Sequence, residues 1–172
     1  QKEVKKIERI ISEILEFSKP RPAHLVESNI NEVVLSVHEL TRVQLRKEDL
    51  RVHFNLNDSL PAVLIDPAQV SQVVINLVIN AMQAMPQGGR ISIQICSNGN
   101  SVEICFEDQG EGIAEDILEK IWDPFFTTKS KGTGLGLGIV KNIIESHDGS
   151  IHIANGSHGA RVTVTLPIEQ GV

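Results

Sequence analysis

Val73-Val74-Ile75-Asn76-Leu77-Val78-Ile79-Asn80-Ala81 is the stretch on which the reading of this chain turns. Apolar residues on nearly every side of a helix predict that it is buried. Its polar residues Gln72, Asn76, Asn80 and Gln83 are three or four apart and so share one face. A mid-helix Asn is a poor helix former and caps nothing. Once buried, its amide needs partners. Hydrogen bonds to neighbouring loops are one solution; a hard cation with phosphate ligands is another, since it suits an amide oxygen. Asp66-Pro67 opens the helix, as an N-cap followed by a first-turn proline, and Pro86-Gln87-Gly88-Gly89 closes it after Met85.

Downstream, residues 90–107 alternate about Asn98-Gly99. Ile91, Ile93, Ile95, Val102, Ile104 and Phe106 fall on one face, and Ser92, Gln94, Cys96, Ser101, Glu103 and Cys105 on the other. That predicts a half-buried antiparallel hairpin. A two-residue turn would pair 96 with 101 and put Cys105 opposite Ser92, too far from Cys96 for a disulfide. Two reduced thiols fit a cytoplasmic address. A helix is expected at 137–147 with Gly149 as its C′ residue, then strands at 150–154 and 160–166 about Asn155-Gly156.

Upstream, 63–65 reads as a short strand and 50–56 as an alternating one. Residues 31–46 read as a helix with Val33, Val34, Val37, Leu40 and Leu45 on its apolar side. A charged amphipathic helix is expected at 2–18, ended by Pro20 and Pro22. Its stripe suits half of a helical hairpin or coiled coil, or docking on the main core. The start at Gln1 reads as a piece of a longer chain. The elements predict an α+β fold, a two-layer α/β sandwich with one mostly antiparallel mixed sheet covered by helices on one face. No apolar run approaches the ~20 residues of a membrane span, so no membrane contact is expected. A formal charge of −6 and 3% aromatic residues argue against nucleic acid as a partner.

Two further segments carry chemistry. Asp108 continues the inward parity of Val102, Ile104 and Phe106, so a carboxylate enters the core side and needs a donor. It either closes a tight turn or receives an exocyclic amine, with Gly110 and Gly112 allowing close approach. Lys131-Gly132-Thr133-Gly134-Leu135-Gly136-Leu137-Gly138 then opens a helix. Exposed amides and the helix dipole make this an anion cradle. The spacing matches neither a Walker loop nor a dinucleotide fingerprint.

Taken together, four stretches resemble the ATPase domain shared by histidine kinases, DNA gyrase, heat-shock chaperones and mismatch-repair ATPases. Asn76-Leu77-Val78-Ile79-Asn80-Ala81 resembles the asparagine box of the histidine kinases. Asp108-Gln109-Gly110-Glu111-Gly112-Ile113 resembles their first glycine box, Trp122-Asp123-Pro124-Phe125-Phe126-Thr127-Thr128-Lys129 their phenylalanine box, and Gly132-Thr133-Gly134-Leu135-Gly136-Leu137 their second glycine box. The phenylalanine box is most like that of the nitrogen-regulation branch. The resemblance covers about residues 20–168.

It implies a Bergerat-type ATP-binding fold at 20–172, preceded at 1–19 by the end of a dimerisation and phosphoacceptor helix. ATP and Mg²⁺ are the implied ligands. Asn80 would hold the metal, with Asn76 beside it facing the phosphates, and Lys129 or Lys131 would approach the outer phosphates. Asp108 would accept the adenine amino group. Gly110, Gly112, Ile113, Phe126, Thr127, Gly132, Thr133, Gly134, Leu135, Gly136 and Leu137 would complete the nucleotide site. Residues 113–133 would form a lid that orders on ATP, latched by Phe125 and Phe126 unless these simply pack in the core. Gyrase-like hydrolases carry a general-base Glu where Asn76 stands, so transfer to protein is implied rather than hydrolysis. Gln83 would belong to the nucleotide site as well, though many histidine kinases carry Lys or Arg in its place. His38-Glu39-Leu40-Thr41-Arg42 lacks the context of an acceptor box, so the acceptor His would lie upstream. The implied protein is a protein-histidine kinase, homodimeric, cytoplasmic in this part and with a possible membrane anchor elsewhere, that passes phosphate to a response regulator. The alternatives are an anti-sigma-factor-type serine kinase and a non-catalytic ATP-sensing module.

Overall fold

A computed structural model describes residues 21–129 and 132–168. The helix expected at 2–18 and the residue Lys131 lie outside them. In chain order the elements are β1 (Val26–Ser28), α1 (Ile30–Lys47), β2 (Leu50–Asn55), β3 (Val63–Ile65), α2 (Pro67–Ala84), β4 (Gly89–Ser97), β5 (Ser101–Glu107), α3 (Gly136–Glu145), β6 (Ser150–Asn155) and β7 (Ala160–Pro167). Two short 3-10 turns, Glu115–Ile117 and Lys120–Trp122, lie between β5 and α3.

Five strands make one mixed sheet in the order β2-β4-β5-β7-β6. The β2–β4 pair is parallel and the other three are antiparallel. β1 and β3 form a separate antiparallel ribbon. The inward residues of β4, β5 and β7, among them Ile91, Ile104 and Val164, are buried with Val34, Val74, Val78 and Val140 of the helices in one core. Each such side chain contributes about 1.5–3 kcal/mol through burial. The outward row Asn55, Gln94, Cys105, Thr163 and His152 runs across the opposite face. This is the expected two-layer arrangement.

Local chemistry sets the helix starts. Asn29 accepts the N–H of Asn31, and Asp66 accepts those of Ala68 and Gln69 ahead of Pro67. Asp66 also takes the amide of His24. Burial alone would raise its pKa, but the three amides hold it below the usual value. His147 is fully buried. Its Nδ1–H donates to the Ile143 carbonyl, while Nε2 accepts the Asp66 amide. The C-terminal end of α3 is thereby tied to the start of α2.

Three expectations need correction. The β4–β5 hairpin is registered with Cys96 opposite Glu103 and Cys105 opposite Gln94, two residues from the expected pairing. The cause is Asn98, whose side-chain oxygen accepts the amides of Asn100 and Ser101 and lengthens the turn. Facing parity survives because the shift is even, and both thiols are free. Leu40 is 77% exposed instead of packed with Val33, Val34 and Val37. The left-handed residue after α3 is Asp148 (φ 54), not Gly149.

Candidate functional site

A cavity of about 300 Å³ opens between α2, the inner end of β5, the start of α3 and the segment that joins β5 to α3. Its lining combines two kinds of chemistry. Asp108, with Gly112, Ile113, Ala160 and Val162, contributes a carboxylate; Asn76, Asn80, Lys129 and Gly136 contribute amides, an ammonium and a helix start. An apolar band including Ile91, Phe106, Phe126 and Leu137 lines the space as well.

β5 carries Asp108 inward just past Phe106, and the residue is 8% exposed. Its Oδ1 accepts the amides of Gly110 (2.9 Å) and Ala160 (3.1 Å). Both of those amides go to one oxygen, so Oδ2 keeps its accepting capacity for a group in the cavity. The two sequence alternatives for Asp108 are thus combined, with Oδ1 closing the turn and Oδ2 left over. An amine donor is the group such an oxygen fits.

Asn76 and Asn80 stand one turn apart on α2. They are half-buried, because α2 is open along this side and Ile79 between them is 41% exposed. Lys129 reaches across from the connecting segment. Its Nζ lies 3.3 Å from the Asn80 carbonyl and 3.5 Å from Asn80 Oδ1. Burial pushes the Lys129 pKa down, and the charge of Asp108 partly offsets this. The Asn80 oxygens therefore already face a cation, so the donor set suits a hard cation that brings further oxygen ligands with it.

α3 begins without a side-chain cap. Its first amides lie where Gly136 and Leu137 meet the cavity. Uncapped amides and the positive end of the dipole suit an anion there. Gly134 (φ 72) lets the loop pass against the backbone of Phe125; a Cβ would sit 2.3 Å from the Phe125 carbonyl carbon. Phe125 N–H donates to the Gly134 carbonyl at 3.1 Å.

Of the residues expected at the site, Asn76, Asn80, Gln83, Asp108, Gly112, Ile113, Phe126, Thr127, Lys129, Gly132, Thr133, Gly134, Gly136 and Leu137 line this cavity. Gly110 and Leu135 do not: Gly110 supports Asp108 from behind, and Leu135 is a core residue. Phe125 is not packed in the core; it is 63% exposed with φ 68. Sequence reading missed Ile79, Thr128, Ile117, Ile121, Ile153, Ala160 and Val162. Ile79 lies on the helical face of Asn76, Asn80 and Gln83, and Ala160 and Val162 continue the inward parity of Val164 and Leu166. Those two signals were available. Among the described residues no group of His, Cys, Asp and Glu could hold a metal ion, and no helix is long and apolar enough to cross a membrane.

Residues 65–170 match the family model described as histidine kinase-, DNA gyrase B-, and HSP90-like ATPase. The sensor histidine kinase ZraS of Escherichia coli O157:H7 is 40% identical over 168 residues, covering 97% of this chain and 37% of that protein. Sporulation kinase E of Bacillus subtilis (strain 168) is 35% identical over 170 residues, covering 98% of this chain and 23% of that protein. The chain thus spans about a third or less of these curated relatives. Among solved structures, the nucleotide-free catalytic domain of histidine kinase ThkA is similar with a TM-score of 0.79 and 35% identity, covering 84% of this chain and 96% of that one. ThkA in complex with the response regulator TrrA is similar with a TM-score of 0.85 and 34% identity, over 98% of this chain and 49% of that one.

Proposed function

Because this chain belongs to the histidine kinase-, DNA gyrase B- and HSP90-like ATPase family, we propose that it is the ATP-binding catalytic domain of a sensor histidine kinase. It binds ATP in the cavity and supplies the γ-phosphoryl group to a histidine on a helical domain that precedes it. A response regulator then receives the phosphate; the similar kinase ThkA has been solved in complex with the response regulator TrrA. Residues 1–19 are the end of that helical domain, the whole protein is a homodimer, and this part works in the cytoplasm.

One observation carries the reading: a single cavity is lined by a buried carboxylate with one oxygen to spare, by Lys129 on Asn80 and by an uncapped helix start. ATP has an exocyclic amine on its adenine for Asp108 Oδ2, and its phosphates suit the amides of α3. Asn80 Oδ1 would hold Mg²⁺, with Asn76 next to it. When bound, the ion would neutralise phosphate charge and fix the geometry of the outer phosphoryl groups. Lys129 would exchange its contact with Asn80 for the outer phosphates. An imidazole nitrogen of the acceptor forms a bond to the γ-phosphorus as the bond to the β,γ-bridging oxygen breaks, and ADP leaves. Asn76 cannot act as a base toward water, so ATP bound without a placed acceptor turns over slowly.

Incubation with labelled ATP tests this, with and without an acceptor-bearing helical domain from the same protein. Label should appear on a histidine of the added domain and none on this chain alone. Stable label on this chain, mapped to His38, or label on a serine of an added protein, would contradict it.

A further inference from the structure

Asn155 ends β6, and sequence alone reads it as a turn residue before Gly156. Its side chain does something else. Asn155 Oδ1 accepts the Ile113 N–H at 2.7 Å, and Asn155 Nδ2 donates to the Ile113 carbonyl at 2.8 Å. One carboxamide therefore satisfies both backbone groups of a residue 42 positions away. Asn155 is not among the residues with positive φ, so the left-handed conformation that favours Asn in turns is not what it supplies.

Both partners of this clamp bear on the cavity. Ile113 lines it next to Asp108, at the point where the chain leaves the sheet for the stretch 114–134. Asn155 pairs with Ala160, whose amide donates to Asp108 Oδ1. The intervening turn is closed by Gly156 N–H to the Gly159 carbonyl (2.7 Å), and its Ser157 is held by Glu107 through both amide and hydroxyl. The clamp thus ties Ile113 to the same turn that holds Asp108. It also accounts for Gly112: at φ 75 a Cβ there would lie 2.7 Å from Asn155 Oδ1, in the space the carboxamide occupies.

We propose that Asn155 is a positioning residue for the nucleotide. It fixes the Ile113 backbone, and with it the base-side wall of the cavity, without touching the ligand itself. The proposal rests on the ATP-binding reading above. Only a side chain with an acceptor and a donor at this reach satisfies both groups of Ile113. Aspartate keeps the acceptor for the N–H but sets an oxygen against the carbonyl.

The test joins amide exchange with calorimetry on the whole chain, comparing Asn155→Ala and Asn155→Asp with the unsubstituted protein. Without nucleotide, the Ile113 amide of Asn155→Ala should exchange about tenfold faster, the scale of one net hydrogen bond, while β4 and β5 stay protected. ATP and ADP should both weaken by a similar factor of about ten, because they share the base end. Asn155→Asp should fall between, and it decides the matter if Asn155→Ala does not fold. Unchanged Ile113 exchange, or faster exchange with unchanged nucleotide affinity, would overturn the proposal. An unsubstituted chain that binds neither nucleotide refutes the ATP reading, and with it any role of Asn155 toward nucleotide, while the exchange arm still reports whether the clamp exists.

Discussion

In β4 and β5 alternate residues, Ile91 to Ile95 and Val102 to Phe106, are buried against the helices. Between Gly112 and Gly134 none of the described residues is buried. The two regions meet at Asp108 and Ile113, and the cavity lies between them. The hairpin gets its conformation from apolar burial and ladder hydrogen bonds. The following segment is held by point contacts: Asn155 on Ile113, Lys129 on Asn80, and Phe125 on Gly134. A region held by few contacts opens at low free-energy cost, which a lid needs.

The contrast breaks most visibly under equal truncations. Ile104 is fully buried in the sheet, so Ile104→Ala should cost about 2–5 kcal/mol in chemical denaturation. Phe125→Ala removes a larger side chain that is mostly exposed, and should change stability by no more than about 0.5 kcal/mol. A large loss at Phe125 would mean that the segment is built like the frame.

At the meeting point, Asp108→Asn keeps the size of the side chain but removes its charge. ATP should bind about 1.5–3 kcal/mol more weakly, the range of a charge-assisted hydrogen bond, as read by calorimetry.

Glu107 sharpens the frame side. Hydrogen bonds from Ser157 and Arg161 lower its pKa to about 2 from the usual 4.5. A carboxylate lowered in this way stabilises the fold above pH 4.5, and the contribution is lost as pH falls toward 2. Glu107→Gln should therefore cost about 1–2 kcal/mol at pH 7, after allowing for solvent screening, and the deficit should shrink between those two values in thermal melts.

Lys129 offers the smallest and opposite effect. Its pKa is lowered by burial, so the charged ammonium costs stability at pH values below its folded pKa, and the cost fades as pH rises from there to 10.5. Lys129→Met should raise the stability of the nucleotide-free chain at pH 7, by less than about 1 kcal/mol because the group is partly solvated. Melting curves at pH 7 and above 10.5 should show the gain and then its disappearance.

The same contrast explains what was legible. Burial writes itself into sequence as period, so the inward face of β4 and β5 could be read residue by residue, and the Asp66-Pro67 cap could be read because it is local. Register was harder, because it depended on where the Asn98 side chain put its hydrogen bonds. Three-residue β1 carries too little pattern to show, and the parallel pairing of β2 with β4 joins segments that sequence alone does not bring together. Leu40 fitted a helical stripe yet faces outward, because at 100° per residue it falls at the flank of the face that buries Ile30, Val34, Val37 and Leu45. At the site, Asn76, Asn80 and Asp108 were legible as polar residues placed where apolar ones belong. Ile117 and Ile121 sit in an unburied stretch with no period, and only the fold brings them to the cavity. Asn155 was read for its turn, while its work is done 42 residues away.

The most direct test of the account is a calorimetric titration of the chain with ATP and with GTP, each with Mg²⁺. A carboxylate oxygen accepting an exocyclic amine favours adenine, which has that amine at the position where guanine has a carbonyl. ATP should bind at least about tenfold more tightly than GTP, one charge-assisted hydrogen bond apart, and Asp108→Asn should erase most of that preference. Equal affinity for the two nucleotides, or a preference that survives Asp108→Asn, would contradict the assignment of this cavity.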